Sequence, residues 1–204
     1  MTKKIMLNLG CAGRPLKGYI NIDQDNLETI KERYPNQEID ENLEIKQYDI
    51  FNLPFENSSV DEIRADGLIE HLSFKEENFF FHEIMRVLKK GGKIQLSTVD
   101  FDQTIKQWIS AEDNWLDFHR DDDEAIKKNF WFGTYTYKPL NKWGYLTATL
   151  FGSQNGKGQY HKNCYTEKKL LAICNKLNFK VLKLEKFRWK KDRDHMLNLI
   201  AEKN

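Results

Sequence analysis

The chain has 204 residues, with 32 lysines and arginines against 31 aspartates and glutamates. A net charge of +1 gives no bulk field that would draw nucleic acid or an anionic membrane surface, so neither is expected as a partner. Hydrophobic residues at 40%, charged residues at 31% and aromatic residues at 13% exclude a disordered chain and predict one globular domain over 1–204 with a sizeable core.

Three cysteines, Cys11, Cys164 and Cys174, form no C-x-x-C pair, which argues against a disulfide framework or a zinc knuckle and for a reducing cytoplasm. No apolar run approaches the roughly 18 residues of a membrane span. The apolar stretch from Ile5 to Leu9 is too short for a signal-peptide core.

That stretch predicts a buried strand, halted by a tight turn at Gly10-Cys11-Ala12-Gly13. A second strand runs from Tyr19 to Ile22 and ends at Asp23; residues 26–34 suit a short helix closed by Pro35; a third strand runs from Glu44 to Ile50. Val60 to Asp66 reads as the fourth strand. Ser73 and Glu76 then predict a capping box for a helix with Phe80, Phe81, Ile84, Met85, Val87 and Leu88 on its apolar face and Gly91-Gly92 as its stop. Lys93 to Val99 is the fifth strand, ending at Asp100.

Residues 101–165 hold 14 of the 26 aromatic residues and four of the five tryptophans, which marks a substrate-side elaboration within the domain. It opens on a helix from Phe101 to Ser110, carries an acidic run at 121–124 that reads as a solvated helix start, and ends on a glycine-rich loop at 152–158. A helix capped by Thr166 should bury Leu170, Leu171, Ile173 and Leu177 on one face. Two strands, Phe179 to Phe187 and Asp194 to Ala201, then pair antiparallel. Alternating strands and helices imply a mostly parallel α/β sheet with an antiparallel element at one edge, and a ligand beyond the carboxyl ends of the strands. Those ends carry Gly10 to Gly13, Asp23, Asp49, Asp66 and Asp100.

Four segments make the specific point: Leu7-Asn8-Leu9-Gly10-Cys11-Ala12-Gly13, Ile20-Asn21-Ile22-Asp23, Tyr48-Asp49-Ile50-Phe51-Asn52-Leu53-Pro54-Phe55 and Ala65-Asp66-Gly67-Leu68-Ile69-Glu70-His71-Leu72. With His82-Glu83-Ile84-Met85-Arg86-Val87-Leu88-Lys89-Lys90-Gly91-Gly92-Lys93, they make the chain resemble a class I S-adenosylmethionine-dependent methyltransferase of the type 11 kind with a short first motif. The resemblance implies a Rossmann-like fold with a mostly parallel seven-stranded sheet and an antiparallel edge strand, and S-adenosylmethionine as cofactor. It places Asn8, Gly10, Cys11, Ala12 and Gly13 at the glycine turn, Asp23 at the ribose hydroxyls, Asp49, Ile50 and Phe51 at the adenine, and Asp66, Glu70 and His71 toward the methionine end. Asn8 stands where the family commonly has an acidic residue, and Ala12 where it commonly has glycine.

Methyl transfer from a sulfonium is an in-line displacement, so alignment matters more than any fixed catalytic motif. Asp100, His119 and His161 are the candidate bases, and Gly156 and Gly158 candidate hinges of a lid. The chain lacks the Asn/Asp-Pro-Pro-Tyr segment that similar enzymes use on base amines, so a small-molecule acceptor is expected. Similar short-motif members in surface-polysaccharide pathways favour a hydroxyl on a sugar or related polar metabolite. His82 and His195 have no metal-ligand partners at helical spacing and read as surface or core histidines, and no metal is expected. Two rivals stand beside this reading. One is a methyltransferase-like binding or regulatory protein without turnover; the other, a nicotinamide-dependent oxidoreductase, is disfavoured by Ala12 and Pro15 in place of glycines.

Overall fold

Leu7, Leu9, Ile22, Ile63, Ala65, Ile94 and Leu96 lie on four neighbouring strands and are all at most 1% exposed, as expected of strands covered on both faces. The structure is a computed structural model, and it describes residues 4–34, 37–111, 142, 146–154, 156, 158–188 and 195–204. Strands β1 (Met6–Leu9), β2 (Ile20–Ile22), β3 (Ile45–Lys46), β4 (Val60–Asp66), β5 (Leu88–Val99), β6 (Phe179–Arg188) and β7 (His195–Lys203) form one sheet in the order β3-β2-β1-β4-β5-β7-β6. The pairs among β1 to β5 are parallel, and β7 runs antiparallel to both β5 and β6. Strand order reverses at β1, which has β2 on one side and β4 on the other, so the ligand crevice belongs at their carboxyl ends.

Helix α1 (Leu27–Arg33) is capped by Asn26, whose side chain accepts from Thr29 N at 2.9 Å. Helix α2 (Phe74–Val87) has the expected capping box: Ser73 Oγ accepts from Glu76 N at 3.3 Å, and Glu76 Oε2 accepts from Ser73 N at 2.7 Å. Phe80, Phe81, Ile84 and Val87 face the core, each contributing about 2 kcal/mol by its burial. Helices α3 (Phe101–Ser110), α4 (Thr147–Phe151) and α5 (Glu167–Lys176) complete the described α-helices, and Ile69–His71 forms a single 3₁₀ turn before α2. Among the described residues no helix is long and apolar enough to cross a membrane.

Several boundaries differ from expectation for local reasons. Helix α2 ends at Val87 rather than at Gly91-Gly92, because Leu88, fully buried, is already extended (φ −72°, ψ 131°) and begins β5. The glycine pair instead serves a bulge. Between the partners Val60↔Leu88 and Glu62↔Lys93, β4 advances two residues while β5 advances five, and Gly91 takes φ +75° there. Strand β3 is two residues long rather than seven, since Asp49 Oδ1 accepts from Phe51 N at 2.8 Å and turns the chain out of the sheet. On α5, Leu170 and Cys174 are buried, but Leu171 is 44% exposed, one residue off the inward face. The acidic run at 121–124 lies outside the described residues.

Candidate cofactor site

The turn after β1 explains both departures from the family's first motif. Gly10 has φ +61°, and a Cβ there would lie 2.8 Å from Leu68 Cδ1. Ala12 also takes a positive φ of 44°, held by its N–H donating to Asp23 Oδ2 at 2.8 Å. Asn8 is buried beneath the turn, where its Nδ2 donates to Arg14 O at 3.1 Å and to Asn21 Oδ1 at 2.9 Å. An ionised acid at position 8 has no donor for either partner. Asn8 thus shapes the turn from below, as does Cys11, whose N–H donates to Ile22 O at 3.1 Å and whose thiol burial pushes up to about 12. Gly13 faces away from the cleft, its carbonyl taken by Gln37 Nε2 at 2.6 Å.

Beyond these strand ends lies a cleft of about 250 Å³. Of the residues expected at the cofactor, Gly10, Ala12, Asp23, Asp49, Ile50, Phe51, Asp66 and His71 line it, while Asn8, Cys11, Gly13 and Glu70 do not. Asp23 is 8% exposed; its Oδ1 accepts from Asp25 N at 3.0 Å, and desolvation raises its pKa. Asp49 is exposed and lines the cleft with Tyr48, Ile50 and Phe51. Asp66 is turned inward by Ser97 Oγ at 2.7 Å and Arg64 Nε at 2.5 Å. The glycine-rich loop reaches the cleft through Gly158 and Gln159, the latter accepting from Tyr34 Oη at 3.5 Å.

Sequence reasoning missed the lining residues Arg14, Gln24, Tyr34, Gln159 and Lys162, which come from four separate segments. It also missed the brace under the Asp49–Phe51 wall. Arg86 Nε and Nη2 fork onto Glu83 at 2.8 and 2.6 Å, while its two Nη groups donate to Leu53 O at 2.9 Å, Phe55 O at 2.8 Å and Asn57 Oδ1 at 3.0 Å. Glu83 Oε1 accepts from Leu53 N at 2.6 Å. The i,i+3 spacing of Glu83 and Arg86 was the available signal.

Arg86 above all lowers the Glu83 pKa below its ordinary 4.5. A carboxyl whose folded pKa is depressed adds stability above the unfolded pKa and loses it as pH falls through the folded one. The stability gap between wild type and Glu83→Gln, followed by urea melts, should therefore be full at pH 7 and shrink once pH drops below about 4.3. A gap that grows on acidification contradicts the assignment.

Of the candidate bases, Asp100 is committed elsewhere: at 1% exposure it caps α3, Oδ1 accepting from Gln103 N at 3.2 Å, with Lys186 Nζ 3.6 Å from Oδ2. His119 lies outside the described residues. His161 packs edge-on against His71 with ring centroids 4.7 Å apart. Burial, and then the nearby His161, push the His71 pKa down to about 4; burial also lowers His161 and lifts Glu70 to about 7. No local spacing predicts clustered histidines, yet the fold joins Glu70, His71 and His161.

Residues 12–96 match the family model described as a methyltransferase domain. No curated protein matches the chain in sequence. Among solved structures, a SAM-dependent methyltransferase from Methanosarcina mazei superposes with a TM-score of 0.57 at 17% identity, covering 100% of this chain and 94% of that one. A methyltransferase from Mesorhizobium loti gives 0.54 at 14% identity, covering 98% and 91%. The 1,6-didemethyltoxoflavin-N1-methyltransferase of Burkholderia thailandensis, solved with S-adenosylhomocysteine, gives 0.54 at 11% identity, covering 99% and 72%. The seven-stranded sheet with its antiparallel edge agrees with this fold. The chain therefore has the fold of class I S-adenosylmethionine-dependent methyltransferases, and its residues 12–96 are similar to that family's methyltransferase domain.

Proposed function

We propose that the protein transfers a methyl group from S-adenosylmethionine to a hydroxyl of a small polar acceptor, a sugar or related metabolite, in a reducing cytoplasm. The observation that carries this reading is the character of the cleft beside His71. Burial keeps that imidazole neutral, and the cations that line the cleft stand beside carboxylates: Lys162 by Glu76 at 3.1 Å, Arg33 by Asp25 at 2.6 Å, and Arg14 within the field of Glu70. Tyr160, whose carbonyl is 3.1 Å from His71 Nδ1, is 48% exposed next to this end of the cleft without lining it, and we assign its ring face to an acceptor sugar. The toxoflavin enzyme among the similar structures, which acts on a small heterocycle, and the three unpaired thiols Cys11, Cys164 and Cys174 support the small-molecule and compartment parts.

When bound, the cofactor supplies a methyl group on an already cationic sulfur. The chain's part is to bind, align and exclude water. Asp23 keeps lone pairs beyond those used by Ala12 and Asp25 and receives the ribose hydroxyls, while Asp49 takes the adenine amino group against Ile50 and Phe51.

The test is release of S-adenosylhomocysteine with panels of sugars, nucleotide sugars, phenols and amines. Release with sugar hydroxyls, with KM raised at least fivefold in Tyr160→Ala, is expected. Release with amines alone contradicts the acceptor class, and cofactor binding without release for any panel supports the binding or regulatory reading.

A further inference from the structure

Glu70, His71 and His161 each offer one ligand atom, and these atoms lie within 4.8 Å of one another. We infer that they form a mononuclear site for a divalent transition-metal ion of the zinc class, with an open coordination position toward the cofactor cleft. Ninety residues of sequence separate the two histidines, and the backbone joins them directly: Lys162 N and Asn163 N both donate to Glu70 O, at 2.8 and 3.1 Å. His161 N donates to Phe151 O at 3.0 Å, which closes the loop behind it.

Both imidazoles are oriented as metal ligands are. His71 Nδ1 sits 3.1 Å from Tyr160 O and His161 Nδ1 sits 2.8 Å from Thr149 O. A carbonyl only accepts, so each bond assigns the proton to Nδ1 and leaves the lone pair on Nε2. Ligating histidines carry this same outer hydrogen bond, which fixes tautomer and ring angle. Glu70 is 4% exposed and accepts from Thr98 Oγ1 at 3.0 Å, an orienting bond of the kind a ligating carboxylate also makes. A carboxyl so deeply buried either keeps its proton or gains a cation, and a bound metal ion would add to the charge of Arg14 nearby.

Two imidazoles and a carboxylate make a borderline N₂O set, which favours zinc-class ions over magnesium or calcium, whose ligands are all oxygen. Zinc bonds of about 2.0 to 2.2 Å set tetrahedral ligands roughly 3.4 Å apart, so occupancy draws the three side chains inward. Three protein ligands with a fourth position open is the arrangement of catalytic rather than structural zinc. Of the three, His71 alone lines the cleft, while Glu70 and His161 line a separate small cavity; delivery of an acceptor oxygen to the fourth position rests on the proposed function, whereas the ion site does not.

The experiment titrates zinc into chelator-treated full-length protein against a chromophoric competitor, records the visible bands of the cobalt form, and measures S-adenosylhomocysteine binding on the same sample. One equivalent of zinc at micromolar affinity or tighter is expected. His161→Ala, His161→Gln and Glu70→Gln should each weaken it at least tenfold, while the exposed His82→Ala leaves it unchanged. Absence of stoichiometric zinc binding while S-adenosylhomocysteine binds overturns the metal site and leaves the cofactor reading standing. Zinc binding that survives in any folded ligand variant overturns it as well, and zinc binding without S-adenosylhomocysteine binding supports the site while removing the proposed function.

Discussion

Replacing Arg86 with alanine should destabilise the protein by about 3 kcal/mol, lowering the melting temperature by roughly 6 to 12 °C in a chain of this size. Glu83 is left with its side chain only 8% exposed and without its cation, and three acceptors at Leu53, Phe55 and Asn57 lose their donor. The Arg86 side chain is 34% exposed, so water reaches part of the gap and the loss stays at the lower end for a broken buried pair. The same variant should bind S-adenosylhomocysteine at least fivefold more weakly, because the brace holds the segment that follows Asp49, Ile50 and Phe51. Arg86→Lys keeps the charge without the fork and should recover less than half of the stability. Thermal melts and calorimetry read both effects, and an Arg86→Ala protein as stable as wild type contradicts the brace.

Gly152→Ala should cost about 4 kcal/mol, the larger of the two effects. Gly152 follows α4 at φ +83° and ψ 171°, a region nearly closed to side chains and worth roughly 1 to 3 kcal/mol by itself. An added Cβ would also lie 2.1 Å from Gln159 O and 2.8 Å from His161 N, both backbone atoms that move only if the loop opens. Opening carries His161 away from His71, and Gly158 and Gln159 away from the cleft. A melting temperature lowered by roughly 8 to 16 °C is expected, and a shift under 2 °C contradicts the packing of this loop.

What was legible in the chain was what short-range patterning encodes. Strand β4 runs over Val60–Asp66 as read, and the Ser73–Glu76 box opens α2 where expected, because alternation and capping are settled within a few residues. The acids at the ends of β2 and β4 and the glycine turn reached the cleft for the same reason. Gly91-Gly92 was ambiguous, since glycine serves a helix stop and a strand bulge equally well, and the burial of Leu88 decided between them. His161 could not be joined to His71 by any local rule: the junction is made by the main chain of Lys162 and Asn163 on Glu70. Asp100, attractive as a strand-end acid, was claimed by the first turn of α3.

Calorimetric binding of S-adenosylhomocysteine to wild type, Asp23→Ala and Asp49→Ala tests the central claim, that the crevice beyond β1, β2 and β4 is the cofactor site. Micromolar binding to wild type, weakened at least tenfold in either variant, or about 1.4 kcal/mol, is the predicted result. Folded wild type that does not bind, or binding indifferent to both substitutions, contradicts it and returns Asp23 and Asp49 to their local roles at Ala12, Asp25 and Phe51.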